Sequence, residues 1–143
     1  MKDVELDKLI QQDHQASAAF CLGDPEPKKR LYSHSDHAKL ANPLGPPARG
    51  WQQVAATLDA AAGMLRDGEP TTYERVSECE TTDMAYILEL ERTSVKVGGA
   101  EEPSTVALRA TTIFRREEDG SKIVHRHADP ITTPRPIHSV VSR

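Results

Sequence analysis

Two glutamates separated by one residue are the side chains in this sequence best suited to proton chemistry. Glu89 and Glu91 end the run Ala85–Glu91, and on a strand they share a face with Ala85 and Ile87, whereas the opposite face is more apolar. Residues two apart on a strand share a face and lie about 7 Å apart, so the two carboxylates can interact. Burial would raise their pKa and suit one of them to acid–base work. Alternatively, they are solvated, or neutralised by Arg109 or Arg126 in a structural network.

A second ionisable group lies near the C-terminal end, in the string His125-Arg126-His127. On a strand the two imidazoles project to one side and the guanidinium to the other. Two such histidines, completed by Asp129 or a loop histidine, are compatible with zinc, but only two ligands have short spacing. Histidines so placed more often hydrogen-bond across a sheet or line a dimer interface. We predict no metal, and a secondary polar cluster of His125, His127, Asp129 and Arg109.

Both groups lie in a strand-rich C-terminal half. The segment Val106–Arg116 has a period-2 pattern and contains β-branched and aromatic residues, which is typical of a strand. The acidic turn at 117–120 ends in Asp-Gly, and Lys122–Ala128 forms the returning strand. Two further strands, about Thr71–Glu80 and Met84–Val97, precede this hairpin. The pattern predicts long antiparallel strands that carry the ionisable residues.

The N-terminal half is predicted to be helical. A helix capped by Asp3 runs to about Phe20, a short helix runs from Asp24-Pro25 to about Leu31, and a third spans Trp51–Arg66. A brief strand at Ala38–Asn42 and a loop with three prolines separate the last two. Helices followed by long strands predict an α+β fold with the helices on one face of a curved sheet, enclosing a pocket.

Composition limits the possible functions. A chain of 143 residues with a net charge of −4 suits one domain and lacks the basic surface of a nucleic-acid-binding protein. We assign residues 1–130 to that domain and 131–143 to a proline-containing tail. No signal peptide, apolar run of membrane-spanning length or Gly-rich phosphate loop is evident, which predicts a cytoplasmic protein with no cofactor and no membrane partner. The two cysteines have no metal-site spacing.

The order of elements resembles the nuclear transport factor 2-like superfamily. The resemblance rests on Gly23-Asp24 after the first helix, Asn42-Pro43, Gly50-Trp51 and the closing segment 111–130, which is similar to the SnoaL-like and ketosteroid-isomerase-like branches and to the association domain of calcium/calmodulin-dependent kinase. It implies a cone-shaped, curved antiparallel or mixed sheet, a cystatin-like roll, with three helices over its concave face. Homodimers that pack sheet on sheet are common in this superfamily.

The resemblance does not extend to the catalytic residues of the steroid isomerases. Their aspartate base corresponds to Asn42, which has no basic lone pair for proton abstraction. Their helix-1 tyrosine corresponds to about Ala16, and their protonated strand acid to about Thr112. We therefore expect no ketosteroid isomerase activity.

On the family alignment, the face with Glu89 and Glu91 points into the pocket, and the face with Tyr86, Leu88 and Leu90 meets a partner sheet. Arg126 faces the pocket on the last strand, and the predicted pocket-lining residues are Tyr32, Asn42, Trp51, Thr112, Phe114 and Arg126. Two functions stay open. The first is a small-molecule pocket protein, as an acid–base isomerase, dehydratase or hydrolase of an apolar metabolite; the second is a non-catalytic homodimeric binding or interaction module.

Overall fold

The computed structural model describes residues 3–142, with side chains from residue 5 onward, so the Asp3 side chain, the predicted cap, lies outside what is described. Three α-helices lie in the N-terminal half: α1 (Asp3–Phe20), α2 (Glu26–Leu31) and α3 (Gly50–Ala62). None of the helices within the described residues is both long and apolar enough to span a bilayer.

Within residues 3–142, seven strands form one sheet. They are β1 (Lys39–Ala41), β2 (Ala48–Arg49), β3 (Leu65–Arg66), β4 (Thr72–Glu80), β5 (Met84–Val97), β6 (Ser104–Glu117) and β7 (Gly120–Asp129). The order in the sheet is β2-β1-β7-β6-β5-β3, and β4 also pairs with β5. Every pairing is antiparallel except β1 with β7, so the sheet is mixed, as predicted.

The core lies between the helices and one face of the sheet. Alternate residues of β5 and β6, including Ala85, Ile87 and Phe114, are buried against the apolar stripe of α1, which includes Leu6 and Ile10. The opposite face of the sheet keeps residues such as Tyr86, which is 40% exposed. The predicted α+β roll and the alternation along β5 and β6 are confirmed.

The third helix is shorter than predicted. It ends at Ala62 rather than Arg66, and Leu65–Arg66 instead forms β3 against Lys96–Val97. Gly63 follows the last helical residue, and glycine disfavours continuation of a helix. Pairing of Leu65–Arg66 with β5 then gives their backbone N–H and C=O groups hydrogen-bond partners. The two-residue strand β2 was also not expected from the sequence.

A β-bulge changes the face of one core residue. Ile113 pairs with His125 but Phe114 pairs with Ile123, so β7 holds one extra residue, Val124, at this point. Ile123 therefore joins the core at 1% exposure, whereas strict alternation along β7 would place it on the face of His125. Beyond the bulge the predicted alternation holds.

Most residues of the C-terminal segment beyond β7 are exposed and pack little against the rest of the chain. A 3-10 helix spans Ile137–Val140, and the apolar side chains of Ile137 and Val140 are 84% and 78% exposed. The division of the chain at residue 130 stays a prediction.

Candidate functional site

A cavity of about 280 Å³ lies between the helices and the inner face of the sheet. All three helices and the strands β4 to β7 contribute to it. Most of its wall is apolar, including Phe20, Leu40, Leu58, Val95, Val106 and Leu108. A concave, largely apolar wall with a few polar groups is the usual form of a small-molecule site.

One carboxylate and one guanidinium meet on this wall. Both Arg126 terminal nitrogens donate to Glu91, with N–O distances of 2.9 and 3.1 Å, in the bidentate arrangement that fixes both planes. The two side chains are 14% and 13% exposed. Burial disfavours the charged guanidinium, but Glu91 outweighs this and raises the pKa of Arg126, which therefore stays charged.

A second ion pair supports the cavity from α1 and α2. Lys28 lines the cavity and its Nζ lies 2.5 Å from Oδ1 of Asp13, which is 2% exposed. Burial alone would raise the pKa of Asp13, but Lys28, with Arg126, holds it below its ordinary value. Lys28 also donates to Oγ of Ser17 at 2.7 Å.

Two tyrosines complete the polar part of the wall. The side chain of Tyr32 is fully buried, and its hydroxyl has no hydrogen-bond partner among the described residues. Tyr73 is partly buried and its ring stacks on His14, with the centroids 3.5 Å apart. Burial raises the pKa of both tyrosines, so each hydroxyl stays protonated.

Glu89 lies deeper than Glu91 and does not line the cavity. It is 2% exposed; Nε2 of His14 lies 2.9 Å from one of its oxygens, and Nη2 of Arg75 donates to the other at 2.8 Å. Burial alone would raise the pKa of Glu89, but the hydrogen bonds from His14 and Arg75 hold it below its ordinary value. The expectation that burial would raise this pKa is wrong, because two donors outweigh the loss of water.

The secondary polar cluster lies on the opposite face of the sheet. Nε of Arg109 donates to Asp129 at 2.7 Å, and His127 lies 3.6 Å from the same carboxylate. His125 borders a separate shallow depression with Lys39. Within residues 3–142, no three His, Cys, Asp or Glu side chains come close enough to hold a metal ion.

The predicted pocket-lining residues divide into two groups. Tyr32, Asn42 and Arg126 lie on the cavity wall. Phe114 is instead buried in the core, and Trp51 packs against that core and stacks on His34. Thr112 is also buried away from the cavity wall, on β6, where it pairs in register with Arg126.

Four residues of the site were not predicted: Lys28, Tyr73, His14 and Arg75. The sequence did contain a signal for Asp13, the partner of Lys28, since a carboxylate on the apolar stripe of α1 needs a buried partner. Tyr73 and Arg75 also share one parity on β4. Lys28 and His14 gave no local signal, because their partners become neighbours only in the fold.

The sequence and fold are similar to those of known proteins. A family model described as a SnoaL-like domain matches residues 31–132. No curated protein sequence matches the chain significantly.

Solved structures repeat the fold over nearly the whole chain. A protein from Thiobacillus denitrificans, provisionally named a calcium/calmodulin-dependent protein kinase type II association domain, is 26% identical, with a TM-score of 0.69 over 85% of this chain and 93% of that one. A domain of unknown function with a cystatin-like fold from Nostoc punctiforme is 16% identical, with a TM-score of 0.72 over 93% and 81%. A protein from Streptomyces avermitilis, provisionally named a dehydratase of the NTF2-like family, is 18% identical, with a TM-score of 0.71 over 92% and 100%.

Proposed function

The chain belongs to the SnoaL-like domain family of the NTF2-like superfamily, and from this premise we propose that it binds a small, largely apolar molecule in its cavity. The observation that carries the proposal is the cavity itself, about 280 Å³ of mostly apolar wall that contains the Glu91–Arg126 pair. The apolar wall favours an apolar body through burial, and the polar groups fix its orientation.

We further propose that this site has acid–base chemistry, with Glu91 as the proton-transfer group. Glu91 is the carboxylate on the cavity wall, whereas Glu89 does not line the cavity and is enclosed by His14 and Arg75. Arg126 positions the Glu91 carboxylate. The structural neighbour named as a dehydratase supports a reaction of this type. The second candidate function, a binding module without catalysis, would use the same cavity.

Two adjacent alanines of α3 provide a matched test of the cavity. Ala61 lines it, and Ala60 is exposed. Ala61→Phe should fill the cavity and abolish binding of the hits from a thermal-shift screen of neutral aromatic metabolites, while Ala60→Phe should leave binding unchanged. If both variants bind the hits as the wild type does, the cavity is not the site.

Catalysis is tested separately on the same hits. Glu91→Gln keeps the shape of the side chain but removes its basic oxygen, so any turnover detected by mass spectrometry should fall by about 100-fold or more. Glu89→Gln should retain turnover when assayed at a temperature at which it remains folded. Unchanged turnover in Glu91→Gln would remove Glu91 from the mechanism.

We also propose a homodimer through the outer face of the sheet. Tyr86 is 40% exposed and Met84 is 42% exposed on β5, where Leu88 and Leu90 are also partly exposed. An apolar sheet face of this kind is stabilised by a second copy. Tyr86→Lys should convert a dimer to a monomer in light scattering, whereas Leu22→Lys, on an exposed residue outside the sheet, should not. A wild-type monomer at micromolar concentration would refute the dimer.

A further inference from the structure

The charged groups around the cavity neutralise one another. Glu91 accepts two hydrogen bonds from Arg126, and Lys28 bonds to Asp13. Two acids therefore face two bases. An ionised ligand would have to leave water for an apolar cavity whose charges already have partners, which is unfavourable.

Lys28 has no hydrogen left to offer a ligand. An ammonium group has three donors, and its Nζ meets three oxygens: Oδ1 of Asp13 at 2.5 Å, Oγ of Ser17 at 2.7 Å and the backbone carbonyl of Asp13 at 3.4 Å. Lys28 is also only 4% exposed. Its positive charge is therefore a structural feature of the wall rather than an anchor for an anion.

Donors, by contrast, remain free at the Tyr32 end of the cavity. The Tyr32 hydroxyl is buried without a partner among the described residues, although buried hydroxyls are normally hydrogen-bonded. Arg126 has five N–H donors, and the bonds to Glu91 use two of them. Each oxygen of Glu91 already accepts one of those bonds, so the groups left without any partner at this end are donors.

We propose that the ligand is an uncharged molecule whose carbonyl oxygen accepts a hydrogen bond from the Tyr32 hydroxyl, with its apolar body against the wall formed by residues such as Leu58, Val95 and Leu108. The proposal rests on the proposed binding function and specifies its ligand class. The balanced charges exclude a carboxylate or ammonium head group, and the unpartnered hydroxyl selects an acceptor.

Four naphthalenes of similar size test this class: 2-acetylnaphthalene, 2-ethylnaphthalene, 2-naphthoate and 2-naphthylmethylammonium. Calorimetric titration of the full chain at pH 7 should find 2-acetylnaphthalene the tightest, with 2-ethylnaphthalene weaker by about 3- to 10-fold for the lost hydrogen bond. The two ions should bind about 100-fold more weakly than the ketone. An ion that binds within tenfold of the ketone would overturn the proposal.

The variant Tyr32→Phe tests whether the Tyr32 hydroxyl is the group that donates to the ketone. The variant should reduce the affinity for 2-acetylnaphthalene to that of 2-ethylnaphthalene and leave the affinity for 2-ethylnaphthalene unchanged, since only the ketone has an acceptor. An equal loss for both compounds would mean a change of shape and would overturn the role of Tyr32. If none of the four compounds binds the wild type, the binding function itself fails.

The ligand-free protein supplies a second readout. An unpartnered buried hydroxyl destabilises the fold, so Tyr32→Phe should raise the melting temperature. The control is Tyr86→Phe, which removes a hydroxyl from a residue that is 40% exposed and should leave the melting temperature unchanged. A lower melting temperature for Tyr32→Phe would show that the hydroxyl has a partner within the protein, and would overturn the proposal.

Discussion

Glu89 and Glu91 have the same side chain, strand and face, yet their surroundings differ. Glu89 pairs in register with Arg75, and α1 places His14 on its other oxygen, so it is fully enclosed. Glu91 pairs in register with Tyr73 and contacts one base, Arg126, on the wall of the cavity. The two carboxylates therefore have different environments inside the roll. We call Glu89 with His14 and Arg75 the Glu89 layer, and Glu91 with Arg126 and Tyr73 the Glu91 layer.

The comparison shows that burial alone does not create a reactive carboxylate. In the Glu89 layer, donors from two sides lower the pKa of a carboxylate that does not line the cavity. In the Glu91 layer, one base orients the carboxylate beside open space. The first layer has the properties of a structural ion-pair network, and the second has those of a site.

The largest effect should come from neutralising Glu89. Glu89→Gln leaves the charge of Arg75 without its buried partner, and we expect a loss of about 3 kcal/mol in the free energy of unfolding. Glu91→Gln should cost only about 1 kcal/mol, because a single base, Arg126, loses its charged partner and the glutamine oxygen still accepts one of its hydrogen bonds. Urea denaturation at pH 7 measures both.

Glu74→Gln serves as the control, since Glu74 is exposed on β4, next to Arg75 in sequence, and should change stability by less than about 0.5 kcal/mol. Equal losses for Glu89→Gln and Glu91→Gln would show that the two layers are energetically alike, and the distinction between network and site would fail.

A smaller effect should appear in acid. The pKa of Glu89 is lower in the folded chain than its ordinary value of 4.5, so its contribution is complete above that pH and is lost as the pH falls through the folded pKa. The difference in unfolding free energy between wild type and Glu89→Gln should therefore shrink by about 1 kcal/mol or more between pH 6 and pH 3. A difference that stays constant with pH would mean that the fold does not lower the pKa of Glu89.

Most of the fold follows from local patterns in the sequence. The period-2 alternation of β5 and β6 specifies their inner faces, and the apolar stripes of α1 and α3 specify which sides pack. The exceptions are local features that the alternation does not encode. The bulge that turns Ile123 inward is set by pairing with β6, and β3 forms only because Val97 is available as a partner.

The site was less accessible to prediction because its contacts join distant segments. His14 and Glu89 are 75 residues apart, and Lys28 meets Asp13 only when α2 folds back on α1. Sequence parity placed Glu89 and Glu91 on one face but could not tell which of them would be enclosed. That distinction depends on which residues of α1 lie over each glutamate, which is a property of the packed structure.

The smallest effect should come from the outer face of the sheet, which provides a reference for both layers. Arg109 and Asp129 form an ion pair with an N–O distance of 2.7 Å, similar to the distances inside the roll, but the Arg109 side chain is 50% exposed. Water replaces such a pair at little cost, so Arg109→Gln should change the free energy of unfolding by less than about 0.5 kcal/mol. Urea denaturation beside Glu89→Gln gives the comparison directly. A loss above 1 kcal/mol would mean that a second chain covers this face and removes water from the pair, in which case the loss should disappear in the Tyr86→Lys background.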